Sequence, residues 1–434
     1  MSSPSQKDWA FSLWSAAFAL IPRLYVAIAW AREPVWDGHY YDFGARRIAQ
    51  GFGYSDDVLI DGIRRWHPWC HYPVGYSGFL AGVYSVFGNG SHVATVANAI
   101  LGALIVLIVH RLALQFLGLW RARLAALLCA VLPALVIYSG LVMTELLSAF
   151  LPLLALFLAA RDREKSPIRA MILGGAVMGL ATLVHPQNIL LAPALAVAVP
   201  LSPSKTQAIR QFIARASVAT FAAFVFVLPW TLRNCRVMDG CAFVSTNGGW
   251  NLAIGSFSRA TGRFETLRSS DGCTIVSGQV QQDRCWMQVG AKAIKDDPIR
   301  FLKLAPKKLG HCFDHESFAI EYLREADPQA WPEARRVAWR EAMTFAHRLL
   351  LSIAAFGGVS FAWKRRRDAL VEIPILSAVA AVVAYAWTAH EPTFWPVAVV
   401  TLLVALLPRP SAPRRDGIFL FSVISLGAFV AVHV

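Results

Sequence analysis

Apolar runs long enough to cross a lipid bilayer recur along almost the whole 434-residue chain. A helix rises about 1.5 Å per residue and the hydrocarbon layer is about 30 Å thick, so roughly 20 apolar residues make one crossing. Eleven stretches approach that requirement, at about 9–30, 92–113, 122–140, 145–160, 169–184, 187–201, 214–232, 346–363, 369–389, 394–408 and 417–434. Composition agrees: 56% of residues are apolar and 16% charged, against about 45–50% and roughly 25% in soluble domains. The excess apolar surface needs lipid as its solvent, which excludes an ordinary soluble enzyme. The expected fold class is therefore all-α, a polytopic integral membrane protein of about 11 transmembrane helices with two long extracytoplasmic loops.

A formal charge of +14 would point to nucleic acid in a soluble protein. Its location argues otherwise. The short connections 111–123, 161–169, 205–215, 364–367 and 409–415, together with Lys7, hold 18 Lys and Arg, against six Asp and Glu in and beside them. By the positive-inside rule these connections face the cytoplasm, so the charge reports topology and membrane lipids are the expected partner, with no nucleic acid. The N-terminus is then inside and the C-terminus outside. Three parts follow: a transmembrane module 1–232 that includes a first outer loop 31–91, a second outer loop 233–345, and C-terminal helices 346–434. Ala29-Trp30-Ala31 mimics a signal cleavage site, but the preceding run is long and only Lys7, beside Asp8, stands before it. No internal repeat of the kind used by inverted-repeat transporters stands out.

Six of the seven cysteines fall in the two outer loops and only Cys129 lies within a span. An oxidising compartment would permit disulfides there. Spacing favours Cys235 with Cys241 and Cys273 with Cys285, leaving Cys70 and Cys312 as a link between loops, although spacing alone does not fix connectivity. A zinc site would want paired C-x2-C spacing, which is absent.

The first outer loop carries the richest pattern. Asp37 stands just after the first span, and Tyr41, Ala45, Ile48 and Ala49 follow at helical spacing, as in a short amphipathic helix on the membrane surface. A carboxylate at a helix start is favoured by the helix dipole, so Asp37 reads either as a cap or as a catalytic group. Asp42, near the opposite side of that helix, reads as a solvent-facing carboxylate. Gly51-Phe52-Gly53-Tyr54 comes next, and Pro73-Val74-Gly75-Tyr76 then opens a second interfacial helix through Phe79-Leu80-Ala81 to Phe87-Gly88.

Taken together these residues resemble the GT-C glycosyltransferases of the protein O-mannosyltransferase and lipid A aminoarabinose transferase superfamily. Three later stretches agree: Met143-Thr144-Glu145, Pro229-Trp230-Thr231-Leu232-Arg233-Asn234, and Ser245-Thr246-Asn247-Gly248-Gly249-Trp250-Asn251-Leu252 with Gly255. The similarity covers roughly residues 9–260. Two positions depart from it: His185-Pro186 stands where Arg-Pro is common, and His390-Glu391-Pro392 where an Arg-Tyr pair is common. The resemblance implies a GT-C fold in the inner (plasma) membrane, with its active site on the periplasmic or extracellular side. It also implies a polyprenyl-phosphate sugar donor and a glycan, lipid or protein acceptor. No cofactor is certain, and the resemblance leaves room for a divalent cation, Mg or Mn; no metal ligands are assigned.

Such a transfer needs a base for the acceptor proton and cations for the departing phosphate. By this resemblance Asp37 is the expected base, and Glu145, at a membrane boundary where ionisable groups are costly, the second catalytic carboxylate. The expected substrate-binding residues are Arg233, Asn234, Arg64, Arg65, His185, Tyr41, Tyr76 and Asn247. Each has a plainer reading: helix caps for the acids, snorkelling to lipid headgroups for the arginines, a packed loop histidine, and a turn for Asn247. The rival function is a transporter or flippase of lipid-linked sugars. Arg23, near the centre of the first span, requires a partner inside the bundle that the sequence does not name.

Overall fold

The computed structural model describes residues 6–364, apart from 61, 162–165, 201, 203 and 276. The chain opens with α1 (Gln6–Ala29) and α2 (Asp37–Ala49), a hairpin of β1 (Ser55–Ile60) and β2 (Ile63–Pro68), then α3 (Val74–Phe87) and α4 (Ser91–Phe116). It continues through α5 (Leu119–Val131), α6 (Pro133–Ile137), α7 (Glu145–Arg161), α8 (Pro167–Val184) and α9 (Lys205–Val237). The stretch between α9 and α14 (Glu333–Lys364) holds α10 (Gly248–Ser256), α11 (Gln279–Asp296), α12 (Pro298–Asp314) and α13 (Ala319–Ala326).

Helix dominates, with one small addition. The hairpin pairs Ser55 with Pro68 and Ile60 with Ile63 in antiparallel register. Gly62, between the two strands, has φ +75°, a left-handed backbone that suits a tight hairpin turn. The connection between α1 and α4 is therefore helix, hairpin, helix.

Four helical stretches among the described residues are long and apolar enough to cross a bilayer: Asp8–Ala29, Ser91–Gln115, Pro167–Val184 and Thr206–Val237. A fifth, Leu119–Val131 with Pro133–Gly140, is bent by 51°. The expected span at 145–160 forms the 17-residue α7, and that at 346–363 is the end of the continuous α14. The expected span at 187–201 is not an α-helix. It forms two 3₁₀ turns, Pro186–Leu191 and Pro193–Ala198; Pro186 starts the first, where proline is tolerated, and Pro193 has no amide to continue an α-helix from it. The tighter helix rises about 2.0 Å per residue, so this short piece covers more depth than an α-helix of equal length. The expected spans at 369–389, 394–408 and 417–434, and His390 with them, lie outside the described residues.

Small residues set the closest helix contacts. Gly175 and Gly179 on α8 face Ala219 and Ala223 on α9, and a Cβ on Gly179 would come 2.5 Å from the Ala223 carbonyl oxygen. Close backbone approach of this kind is how helices associate in lipid, where no hydrophobic force drives them together.

The bend between α5 and α6 explains Arg23. Pro133 has no N–H to give the Cys129 carbonyl, and Leu132, extended at ψ 113°, ends α5 before Ala130 can be served. Arg23, fully buried, supplies the missing donors: Nη2 to Cys129 O at 3.1 Å and Nη1 to Ala130 O at 2.7 Å, with Nη1 also reaching Ala19 O at 2.9 Å. Its side chain lies against Gly102, where a Cβ would come 2.6 Å from Nε.

Both local disulfides are formed, Cys235–Cys241 and Cys273–Cys285. Cys70 is a free, buried thiol, and the Cys312 side chain lies outside the described residues. Burial pushes the Cys70 thiol up to about 11, against the smaller opposing pull of Arg233 and a Thr246 hydrogen bond. Thiolate is the reactive form, so Cys70 is expected to resist maleimide labelling at pH 7–8 in the folded protein and to label fully after denaturation. Fast labelling of the folded protein at pH 7 would contradict this burial.

Candidate active site

Asp37 is the first residue of α2, where unpaired backbone amides favour a carboxylate. The residue before it, Trp36, has φ +50°, and it is alone among the described non-glycine residues in having positive φ. Such a conformation costs about 1–3 kcal/mol and persists only when its surroundings impose it. Here the Trp36 ring meets Tyr322 edge-on at 5.0 Å and Phe318 at 6.4 Å, both at the start of α13.

Two phenols hold the carboxylate. The Tyr72 hydroxyl donates a short hydrogen bond to Asp37 Oδ1, and the Tyr322 hydroxyl makes a longer one to Oδ2 at 3.4 Å. One comes from the connection between α1 and α4 and the other from α13. Burial, with the Asp37 carboxylate adding to it, raises both phenols well above the ordinary tyrosine value, so both remain donors at physiological pH. His71 is lowered by burial, with Asp37 opposing, which favours a neutral imidazole beside the site.

Two glycines of the sequence pattern bring the parts together. A Cβ on Gly38 would lie 2.8 Å from the Val142 carbonyl, so the start of α2 abuts the segment leading into Glu145. A Cβ on Gly75 would lie 2.5 Å from the backbone at Leu183 and Val184, so α3 begins against the end of α8, next to His185. Tyr41 packs edge-on against Tyr72 at 5.3 Å and Tyr76 at 5.6 Å. Tyr76 is fully buried, and its hydroxyl accepts from Asn98 Nδ2 at 2.8 Å, the amide that also donates to Leu141 O.

Glu145 begins α7, and its Oε2 is buried with no hydrogen-bond partner among the described residues. It acts electrostatically on Tyr41 and Tyr322, as Asp37 does, which places the two carboxylates around the same phenols. Glu316, just before α13, is a third acid within reach of Glu145. Burial raises the Glu316 carboxyl above its usual range. His185 is tied to the residue before Glu145, with Nε2 3.1 Å from Thr144 Oγ1 and Nδ1 3.2 Å from Gln187 Nε2. A small open cleft runs past the start of α2, lined by Trp30, Arg32–Val35, Gly38, Gly140–Met143 and the Tyr322, Leu323 and Ala326 face of α13.

The remaining expected residues lie elsewhere. Arg233 donates to the Trp69 carbonyl at 3.0 Å, the Tyr54 carbonyl at 2.6 Å and Asn234 Oδ1 at 3.0 Å, so its fork holds the first loop onto the end of α9. Its link to Asp37 is indirect: the Tyr54 hydroxyl donates to the Tyr72 carbonyl. Asn234 is buried and donates to the carbonyls of Ala242 and Val244. Asn247 precedes α10 and accepts from Ser245 Oγ at 2.8 Å. Arg64 and Arg65 lie on β2, and their side chains are outside the described residues. Asp42 is not solvent-facing: it is buried, accepting from Tyr84 at 2.5 Å and Arg46 at 2.6 Å. Among the described residues no group of three or more His, Cys, Asp or Glu could hold a metal ion.

Sequence reading missed Tyr72, Tyr322, Trp36 and Glu316. Tyr72 stands in the aromatic stretch before Pro73, where it could have been weighed with Tyr76. Tyr322 had no local signal, since it reaches Asp37 from 285 residues away.

Residues 71–230 match the family model of dolichyl-phosphate-mannose-protein mannosyltransferases. The resemblance to the GT-C superfamily read from the motifs is thereby supported over that stretch. No curated protein sequence matches the chain. Among solved structures it is similar to the archaeal oligosaccharyltransferase AglB from Archaeoglobus fulgidus, in complex with an inhibitory peptide and a dolichol-phosphate. That similarity has 13% identity and a TM-score of 0.46, over 99% of this chain and 56% of that one. It is also similar to ArnT from Cupriavidus metallidurans bound to undecaprenyl phosphate, at 16% identity and a TM-score of 0.40, over 99% and 77% of the two chains. The chain thus spans about half the length of the archaeal oligosaccharyltransferase.

Proposed function

We propose that this membrane protein is an inverting glycosyltransferase that moves a sugar from a polyprenyl-phosphate donor to an acceptor hydroxyl, amine or phosphate at the outer face of the membrane. The observation that carries this reading is Asp37, set at a helix start beside an open cleft, oriented by two phenols and neighboured by Glu145. In the reaction the acceptor oxygen attacks the anomeric carbon, the bond from that carbon to the phosphate oxygen breaks, and the acceptor proton passes to Asp37. Polyprenyl phosphate leaves with the bonding electrons. One displacement inverts the anomeric centre, and a phosphate leaving group needs no acid, so one base suffices, unlike the two carboxyls of glycoside hydrolysis.

Glu145 serves the acceptor, its buried Oε2, without a partner among the described residues, being left to accept a hydrogen bond. The donor phosphate falls to Arg64 and Arg65 on the hairpin and to His185, since the Arg233 fork already serves backbone carbonyls. An outer location suits the two disulfides, which form in oxidising compartments.

The test is transfer of radiolabel from a panel of polyprenyl-phosphate sugars to endogenous membrane acceptors, run in parallel with movement of the same lipids across proteoliposomes. Labelled product from one donor is the expected result. Lipid movement with no product would replace this reading with a transporter of lipid-linked sugars.

A further inference from the structure

At the end of the bundle that carries the basic connections, α1, α4 and α5 enclose a polar cluster that the proposed reaction does not use. His110 is fully buried and Arg111 is only 7% exposed. The Ser12 hydroxyl lies 2.7 Å from His110 Nδ1, while His110 Nε2, Arg111 Nε and Nη1, and Arg123 Nε are buried without hydrogen-bond partners. Guanidinium nitrogens only donate, so what is missing is an acceptor. Buried polar groups without partners are rare enough that each asks for an unseen water or ion. The Asp8 carboxylate acts on His110 and Arg111, but set against the guanidinium groups of Arg111 and Arg123 it leaves the cluster net positive, so the N–H groups still without partners favour an anion over water.

The surroundings fit a phosphate with apolar chains attached. Aromatic faces already cover the guanidinium planes, Trp9 over Arg111 at 3.8 Å and Phe11 over Arg123 at 5.0 Å, leaving the donor edges for a ligand. From this rim an exposed apolar track runs along α1 through Leu13, Trp14 and Phe18, with Trp120, 75% exposed, beside the start of α5. Basic pockets between helices on the cytoplasmic side are where anionic headgroups bind.

We propose that His110, Arg111 and Arg123 form a binding site for a phosphate-bearing anion, and that an anionic phospholipid of the inner leaflet fills it. The phosphate accepts from the free guanidinium edges, and the acyl chains lie along α1. Bound there, the lipid ties α1 to the α4–α5 turn, and the site stands apart from the outer-face chemistry.

The experiment is thermal unfolding of the purified full chain in detergent with added phosphatidylglycerol, phosphatidylcholine or inorganic phosphate. Wild type is expected to melt several degrees higher with phosphatidylglycerol than with phosphatidylcholine, as a ligand that binds only the folded state must produce. Arg111→Gln with Arg123→Gln should lose most of that difference, and Arg111→Lys should keep much of it. If Arg111→Gln does not fold, Arg123→Gln alone carries the comparison. Inorganic phosphate reproducing the full shift would support the anion site and assign it to free phosphate. Equal shifts with the two lipids, or an undiminished phosphatidylglycerol shift in the variants, would overturn the proposal.

Discussion

Asp37→Asn is expected to lower the turnover of sugar transfer by about 10²- to 10⁴-fold, the usual worth of a general base, with the KM for the lipid donor nearly unchanged. The substitution is close to isosteric. The amide oxygen can still accept from Tyr72, and the amide nitrogen can donate to the Tyr322 hydroxyl, so both contacts to the side chain have a counterpart. What is lost is the capacity to take the acceptor proton. A loss confined to turnover is therefore the mark of the chemical step, whereas a raised KM would mark lost binding. Tyr72→Phe separates holding from proton transfer: it keeps the carboxylate and removes its shorter hydrogen bond, so a smaller fall, about tenfold, is expected from the weakened positioning. Equal turnover in wild type and Asp37→Asn would remove Asp37 as the base and promote Glu145, the other carboxylate in reach of the same phenols.

Arg23→Met is expected to cause the largest loss of stability of any single change in the bundle. Its three hydrogen bonds serve the Ala19, Cys129 and Ala130 carbonyls, and the latter two sit at a proline break where no backbone amide replaces the guanidinium. Losing the charged donors leaves buried carbonyls unpaired, a cost of ~3 kcal/mol, and within lipid there is no water to make it good. Arg23→Lys should recover only part of this, because a single ammonium lacks the fork that reaches both sides of the break. Thermal unfolding of detergent-solubilised protein checks both. A melting point for Arg23→Met equal to wild type would mean that the bend between α5 and α6 is held by something other than this side chain.

Arg23 also shows how far sequence reading reached. An arginine within an apolar span demands a partner, and that demand is visible in the sequence. The partner is not, because it consists of backbone carbonyls more than a hundred residues away, exposed by Pro133. The same division holds at the candidate active site. Asp37, Tyr41, Gly75, Tyr76 and Glu145 are legible because helix starts, glycines and aromatic spacing are local patterns. Tyr322 is invisible, since nothing in a charged, proline-divided loop says which residue will reach a carboxylate 285 positions earlier.

Arg233 illustrates the opposite failure. Its place after Pro229-Trp230 suggested a phosphate ligand, yet the fold gives its donors to the carbonyls of Tyr54 and Trp69. A motif states that a cation is needed at a position; it does not say whether substrate or backbone takes the hydrogen bonds. The hairpin at 55–68 lay within reach of sequence, because Asp61-Gly62 between apolar residues is a local turn signal, whereas the 3₁₀ geometry at 186–198 depended on reading its prolines against an apolar run.

By itself, the sequence determined the solvent, the helical class, the cysteine pairs favoured by spacing and the carboxylates worth testing, because hydrophobicity, charge asymmetry and short-range spacing act between near neighbours along the chain. Only the tertiary structure decided which donors each carboxylate and guanidinium met, because hydrogen bonds act over about 3 Å and depend on groups that folding alone brings together.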